Sequence, residues 1–182
     1  MRPFFLFALL LTGTFASAQR AIIRHAYGPF GTAGDAAYIV EEGRIYQACG
    51  PFGAKGACLY VYTEDEVYHS RDAFGIKGQG AFRIEGDTFY RCHGTFCAKS
   101  ACALLLEKQK VFRADGAFCN KGDAAFLLEG NTIFLAEGPF CNKTDAILQV
   151  QGEVPMIALL AILAGSSVIM HSLLDAKVGH RS

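Results

Sequence analysis

The chain carries no net charge: its 182 residues hold 17 Lys and Arg against 17 Asp and Glu. That balance removes the global attraction to nucleic acid that a basic chain would show, so any charged partner must be recognised locally. Catalytic signatures are missing too. There is no nucleophile elbow, metalloprotease helix, phosphate loop or paired Cys-His arrangement, and His25, His69, His93, His171 and His180 occupy unrelated places in the pattern described below. The expectation is a chain that is not an enzyme, with no catalytic residue, no cofactor and no metal. Residues 1–18 hold Arg2, an apolar run from Phe4 to Leu11, and Ala16-Ser17-Ala18, the plan of a cleavable signal peptide. With no cysteine near the cut, no lipoprotein anchor is expected. Export to an oxidising compartment would let cysteines pair.

What is present is a period. Phe30, Phe52, Phe74, Phe96, Phe118 and Phe140 each stand 22 residues after the last, and spacing so regular marks a structural repeat. The stretch from Gly116 to Asn131 is one unit. After its lysine, Ala124, Phe126 and Leu128 alternate with Ala125, Leu127 and Glu129, which predicts a strand with one committed face. A second alternating segment follows, marked by Tyr46, Tyr68, Tyr90, Phe112 and Phe134. Between the two segments, Glu-Gly-Asp at 85–87 and Glu-Gly-Asn at 129–131 supply the positive φ angles of tight hairpin turns. The other end of each unit is a longer loop, so one rim carries every phenylalanine loop.

Six hairpins predict about twelve strands, and an open meander of that size would leave two exposed edges. Closure is the economical answer. The expected fold is all-β: a closed up-and-down barrel of about twelve short strands over residues 19–153, a C-terminal apolar α-helix over 154–175, and a polar tail over 176–182. Small residues at Ala36, Cys58, Gly80, Cys102, Ala124 and Ala146 are assigned to the inner face, which enlarges a lumen already too wide for strand side chains to fill. The candidate plug is the apolar segment from Val154 to Met170, opened by Pro155. As a helix it would run roughly 25 Å, against ~20 Å for a strand of about six residues. The rival reading is a membrane span, with Lys177 and Arg181 beyond it.

The cysteines are assigned by register. If Tyr90 faces Leu104, Cys92 lies opposite Cys102, and the equivalent hairpin brings Cys49 close to Cys58. Two local disulfides are expected there. Cys97, Cys119 and Cys141 follow their phenylalanines; equivalent positions in neighbouring hairpins lie about 9.5 Å apart, beyond the ~7 Å a disulfide tolerates. These three are expected to stay unpaired, and the same distance argues against a metal site built from them.

The run Gly122-x-Ala124-x-Phe126-x-Leu128-x-Gly130-x-x-Ile133-Phe134 resembles the repeat of the bacterial beta-flower proteins, and Gly34 to Tyr46 matches with its turn glycine moved to Gly43. The resemblance covers roughly residues 21–153 and implies a shallow barrel of short hairpins. Twelve strands followed by an apolar helix also resemble, in layout alone, the tubby-like and phospholipid scramblase architecture. That likeness implies a helix threading the barrel, and lipid or phosphoinositide contact by analogy.

Lys55, Lys77, Lys99, Lys121 and Lys143 follow their phenylalanines by three residues, and a closed barrel would gather them as a basic ring on the loop rim. Glu41, Glu85, Glu107 and Glu129 are placed near the opposite rim. The ring is the candidate contact for an anionic partner, either lipid headgroups or an acidic polymer. The alternative is a set of solvated turn lysines that pair with Asp35, Asp123 and Asp145. The functional expectation is an exported binding or envelope-associated barrel. Two others stand beside it: a membrane-tethered structural ectodomain held through 154–170, and a small thiol-dependent enzyme.

Overall fold

Strand alternation and turn glycines lay the chain out as a meander. The computed structural model describes residues 20–116 and 118–166; the signal segment, the polar tail and the end of the predicted helix lie outside the described residues. The strands are β1 (Ala21–Tyr27), β2 (Thr32–Glu41), β3 (Arg44–Cys49), β4 (Ala54–Tyr62), β5 (Glu66–Ser70), β6 (Lys77–Glu85), β7 (Thr88–His93), β8 (Ala98–Glu107), β9 (Lys110–Asp115), β10 (Asn120–Glu129), β11 (Thr132–Glu137) and β12 (Asn142–Gln151), followed by α1 (Met156–Gly165). Each strand pairs antiparallel with its chain neighbours, and β1 pairs β12 to close the barrel. Even-to-odd connections are tight turns such as Glu42-Gly43, with φ of 51° and 72°, the left-handed pair that matches strand twist. Odd-to-even connections are the phenylalanine loops, and they share one end.

The helix fills the lumen. Ile157 to Leu163 are all buried, and they join one core cluster with Ile23, Ile45, Val67, Phe89, Val111 and Ile133 from the odd strands and with Ala37, Ala81, Phe126 and Leu148 from the even ones. A helix apolar on every side needs such a wall all round it. Pro155 precedes it as N-cap with φ −57°, suited to chain entry into a first turn. At the far end Ser166 N–H donates to Ile162 O at 2.9 Å, and Gly165 lies beside the Tyr60 hydroxyl, leaving no room for a side chain. The membrane-span reading of 154–170 is therefore corrected over the described part: the helix has 10 residues, is enclosed by strands, and no described helix is long and apolar enough to cross a bilayer.

A second correction concerns facing. In every even strand the pairing is interrupted twice; on β12, Ile133 faces Leu148, Phe134 faces Ala146 and Ala136 faces Lys143. A bulge of this kind breaks period-two alternation. Thus Ala125 and Phe126 both join the helix-centred core, whereas Ala124 packs with Phe112, Ala136 and Cys141 in a separate cluster. Cys58 likewise packs with Ile39 and Tyr46, and Ala146 with Ala26 and Phe134. The small-residue column Ala36, Cys58, Gly80, Cys102, Ala124 and Ala146 belongs to the outer wall, and the lumen is narrower than alternation implied.

Candidate functional site: a phenylalanine crown

The loop rim is built from one four-residue turn used repeatedly. Gly31 N–H donates to Gly28 O at 3.3 Å, Gly53 to Gly50 at 3.2 Å, Cys97 to Gly94 at 3.4 Å and Cys141 to Gly138 at 3.3 Å. The residue after each phenylalanine has a left-handed backbone: Gly31, Gly53 and Gly75 at φ 69–88°, then Cys97, Cys119 and Cys141 at φ 48–61°. Glycine takes this conformation without penalty; cysteine there needs compensation from its surroundings. In the β5–β6 loop Asp72 replaces the leading glycine, and its Oδ1 accepts from Phe74 N at 2.9 Å and Ile76 N at 3.1 Å. Each loop also leans on the hairpin before it, as when Ala124 N–H donates to Gly138 O at 3.1 Å and Gly80 N–H to Gly94 O at 2.8 Å. The ring closes on itself, with Ala146 N–H donating to Gly28 O at 3.0 Å.

This scaffold throws the phenylalanine at each loop tip outward. Phe30, Phe52, Phe74, Phe96, Phe118 and Phe140 are 81–94% exposed. A single exposed apolar side chain is ordinary; here six recur around one hydrogen-bonded rim.

The lysines do not form a free rim. They lie along the outer wall, each above the aromatic side chain nine residues earlier: Lys55 over Tyr46, Lys77 over Tyr68, Lys99 over Tyr90, Lys121 over Phe112 and Lys143 over Phe134, at 3.5–4.7 Å from the ring centre. Four of them also reach a glutamate, as Lys55–Glu41, Lys99–Glu85, Lys121–Glu107 and Lys143–Glu129 at 2.6–2.7 Å. The glutamates expected at the opposite rim are brought within reach by the tilt of the strands. The Asp partners once expected for these lysines are replaced by these Glu residues. Lys99 holds the Glu85 carboxyl below the usual carboxylate range, and Glu85 in turn raises Lys99. At the closing seam all members of the relay change together: Arg24, Ala33 and Gln151 stand in the aromatic, lysine and glutamate slots, and Arg24 Nε donates to Gln151 Oε1 at 3.0 Å.

The cysteines pair differently from the expectation. Cys92 bonds Cys97 with Cα atoms 4.9 Å apart, and Cys102 bonds Cys119 at 5.4 Å; Cys49, Cys58 and Cys141 are free. The register is the reason: Phe89 rather than Tyr90 faces Leu104, and two interruptions of β8 then place Tyr90 opposite Cys102 and Cys92 opposite Lys99. The leaning loops then bring each residue after a phenylalanine against the small-residue column of the preceding hairpin. Gly80 is required there: a Cβ on it would lie 2.7 Å from Cys97 Cα. Two disulfides are compatible with an oxidising compartment.

Inside the crown the barrel mouth is polar. The odd-strand residue that follows the core position by two carries His25, Gln47, His69, Arg91, Arg113 and Leu135. Tyr60 supports the facing: it packs on the helix-centred core and its ring lies tilted against that of His69, with centroids 5.3 Å apart. Burial raises the Cys141 thiol, which keeps it protonated and a poor nucleophile, and Cys97, the neighbour of His93 in sequence, is disulfide-bonded. Among the described residues no group of His, Cys, Asp or Glu is arranged to hold a metal. Comparison with family models, curated proteins and solved structures finds nothing that matches this chain.

Proposed function

We propose that the chain is an exported, non-enzymatic binding barrel that docks its phenylalanine crown on a lipid surface. The observation that carries this reading is the circle of loop-tip phenylalanines with 81–94% of their surface in water. Their loops are braced by turn hydrogen bonds and by bonds to the neighbouring hairpin, so little ordering cost accompanies contact. Spaced tips around a polar mouth suit a medium that can flow between them, and lipid does this where a folded partner would need a matching ring of pockets. Immersing a phenylalanine side chain is worth about 1.5–3 kcal/mol at full transfer. Six together supply roughly 9–18 kcal/mol, of the same order as an association cost of roughly 4–15 kcal/mol.

Expected lipid contact through the lysines is displaced by this reading, because four of the five are already paired with glutamate. The central helix enclosed by strands fits the layout implied by the tubby-like resemblance, and the short hairpins fit the beta-flower one. The test replaces Phe52, Phe96 and Phe140 together by Ser and measures flotation with phosphatidylcholine vesicles. The parent floats, and the variant loses a factor of about 1,000 or more in partitioning while keeping its melting temperature. A parent that stays at the bottom, or a variant that floats as well as the parent, sinks the proposal.

A further inference from the structure

We infer that a cleft at the tight-turn end of the barrel, formed by Tyr62, Glu64 and the start of α1, binds a small apolar amine. This site stands apart from the crown, which lies at the opposite end of the strands.

The repeat is broken at this point. Elsewhere an aliphatic residue near the end of the even strand precedes a wall position: Val40, Ile84, Leu106, Leu128 and Val150 are followed by Glu41, Glu85, Glu107, Glu129 and Gln151. The end of β4 reads Tyr62-Thr63-Glu64 instead. The turn is remodelled to match. Glu42, Gly86, Lys108, Gly130 and Gly152 take left-handed backbones at φ 51–98°, whereas Glu64, in the same slot, does not. Thr63 turns the chain there, its Oγ1 accepting from Glu66 N at 3.2 Å. With Thr63 in the wall position, Lys77 lies over Tyr68 and has no glutamate partner among the described residues. The carboxylate stands one place further along the chain, and there it lines a cavity of about 540 Å³ together with Tyr62, Ile84, Pro155, Met156 and Ile157. That volume and an apolar lining with few polar groups suit a small molecule. The acids next to Glu64 are engaged, since Arg83 pairs with Asp65 at 3.8 Å and with Glu66 at 3.4 Å. Glu64 is exposed and has neither an ion pair nor a hydrogen bond among the described residues. The cleft therefore offers apolar walls to a hydrocarbon body, a free carboxylate to an ammonium, and the only aromatic ring of its slot to the same cation. An anionic ligand would meet Glu64 as a like charge.

The probe is 2-phenylethylamine, with 2-phenylethanol as its uncharged counterpart, each titrated into the protein and followed by calorimetry and by the methyl NMR signals of Ile84 and Ile157. The parent should bind the amine about tenfold more tightly than the alcohol, with shifts at both isoleucines. Glu64→Gln should remove that preference and leave the alcohol's affinity unchanged. Tyr62→Leu, which writes in the residue type of Leu106 and Leu128, should weaken the amine about fivefold. A parent that binds both equally or neither, a Glu64→Gln variant that keeps the preference, or shifts confined to other residues overturns the inference. If a single substitution disturbs the turn, Tyr62→Leu/Thr63→Glu/Glu64→Gly rewrites the unit in the pattern of Leu128-Glu129-Gly130; amine binding that survives this change is equally fatal. Nα-acetyl-lysine amide presents the same charge on a peptide. Weaker binding of it upholds a free amine as the ligand, whereas equal or tighter binding would hand the cleft to a lysine of a protein partner and overturn that assignment.

Discussion

The outer wall and the crown are written with the same period and have opposite fates. Lysines and loop-tip phenylalanines both recur every 22 residues. The lysine side chains are 41–44% exposed in the four ion pairs, and their charge is answered within the molecule by carboxylates and aromatic faces. The phenylalanines are 81–94% exposed and meet water. Recurrence shows only that a unit was copied; whether its members are satisfied internally decides which of them is left over for a partner.

Two phenylalanines of one hairpin sharpen the contrast most strongly. Phe134 is buried in the wall against Ala26 and Ala146, so Phe134→Ala should cost about 3–5 kcal/mol of unfolding free energy. Phe140→Ala, at the adjoining loop tip, should stay within about 0.5 kcal/mol of the parent. Denaturant melts of the two variants check this, and equal losses would erase the distinction between wall and crown.

The next effect is a stabilisation that leaves the crown alone. Ala124 and Cys141 pack together at the address where Cys102 and Cys119 are bonded in the preceding hairpin. Ala124→Cys should close a third disulfide worth about 3 kcal/mol by loop-closure arithmetic. Thiol counting and melts with and without reductant would show it, with vesicle binding unchanged. A remaining pair of titratable thiols would show that the two loops do not share this socket.

Smaller still is the lysine belt. Lys121→Gln should shift the melting temperature by no more than about 2 °C, as screened surface pairs do, and should leave vesicle flotation intact. A large loss of flotation would return the contact surface to the lysines. The pH dependence follows from Glu85, whose folded pKa is depressed chiefly by its hydrogen bond to Lys99. Its contribution is present above the ordinary carboxylate value and is lost as pH falls through the depressed one. An NMR titration should find the Glu85 carboxyl moved up toward its ordinary range in Lys99→Gln, with Arg83 at 3.3 Å still holding it partly down; an unmoved titration would mean the Lys99 pair is not formed in solution.

The barrel was legible because period-two alternation and turn glycines act locally, and because so many strands cannot remain an open sheet without exposed edges. The plug was half legible: an apolar segment with no amphipathic side fits a barrel interior and a bilayer alike. Facing was not. The bulge beside Ile147 and its equivalents leaves no mark in composition, since the inserted residue is as apolar as its neighbours, yet it turned the column from Ala36 to Ala146 outward, and with a second interruption nearer the loop it set Cys92 opposite Lys99. The disulfides followed that error. The lysine and glutamate slots lie 14 residues apart in sequence, and only strand tilt makes them neighbours. The crown was half legible: one rim could be seen to carry the phenylalanine loops, but whether a turn residue points into the wall or into water depends on the left-handed backbone that follows it.

The chain contains no tryptophan, so Phe96→Trp places a lone reporter at one tip of the crown. Its emission should shift to the blue when phosphatidylcholine vesicles are added and be quenched by lipids brominated in the acyl chain. An emission maximum that stays at the water-exposed position at saturating lipid would contradict the docking of the crown.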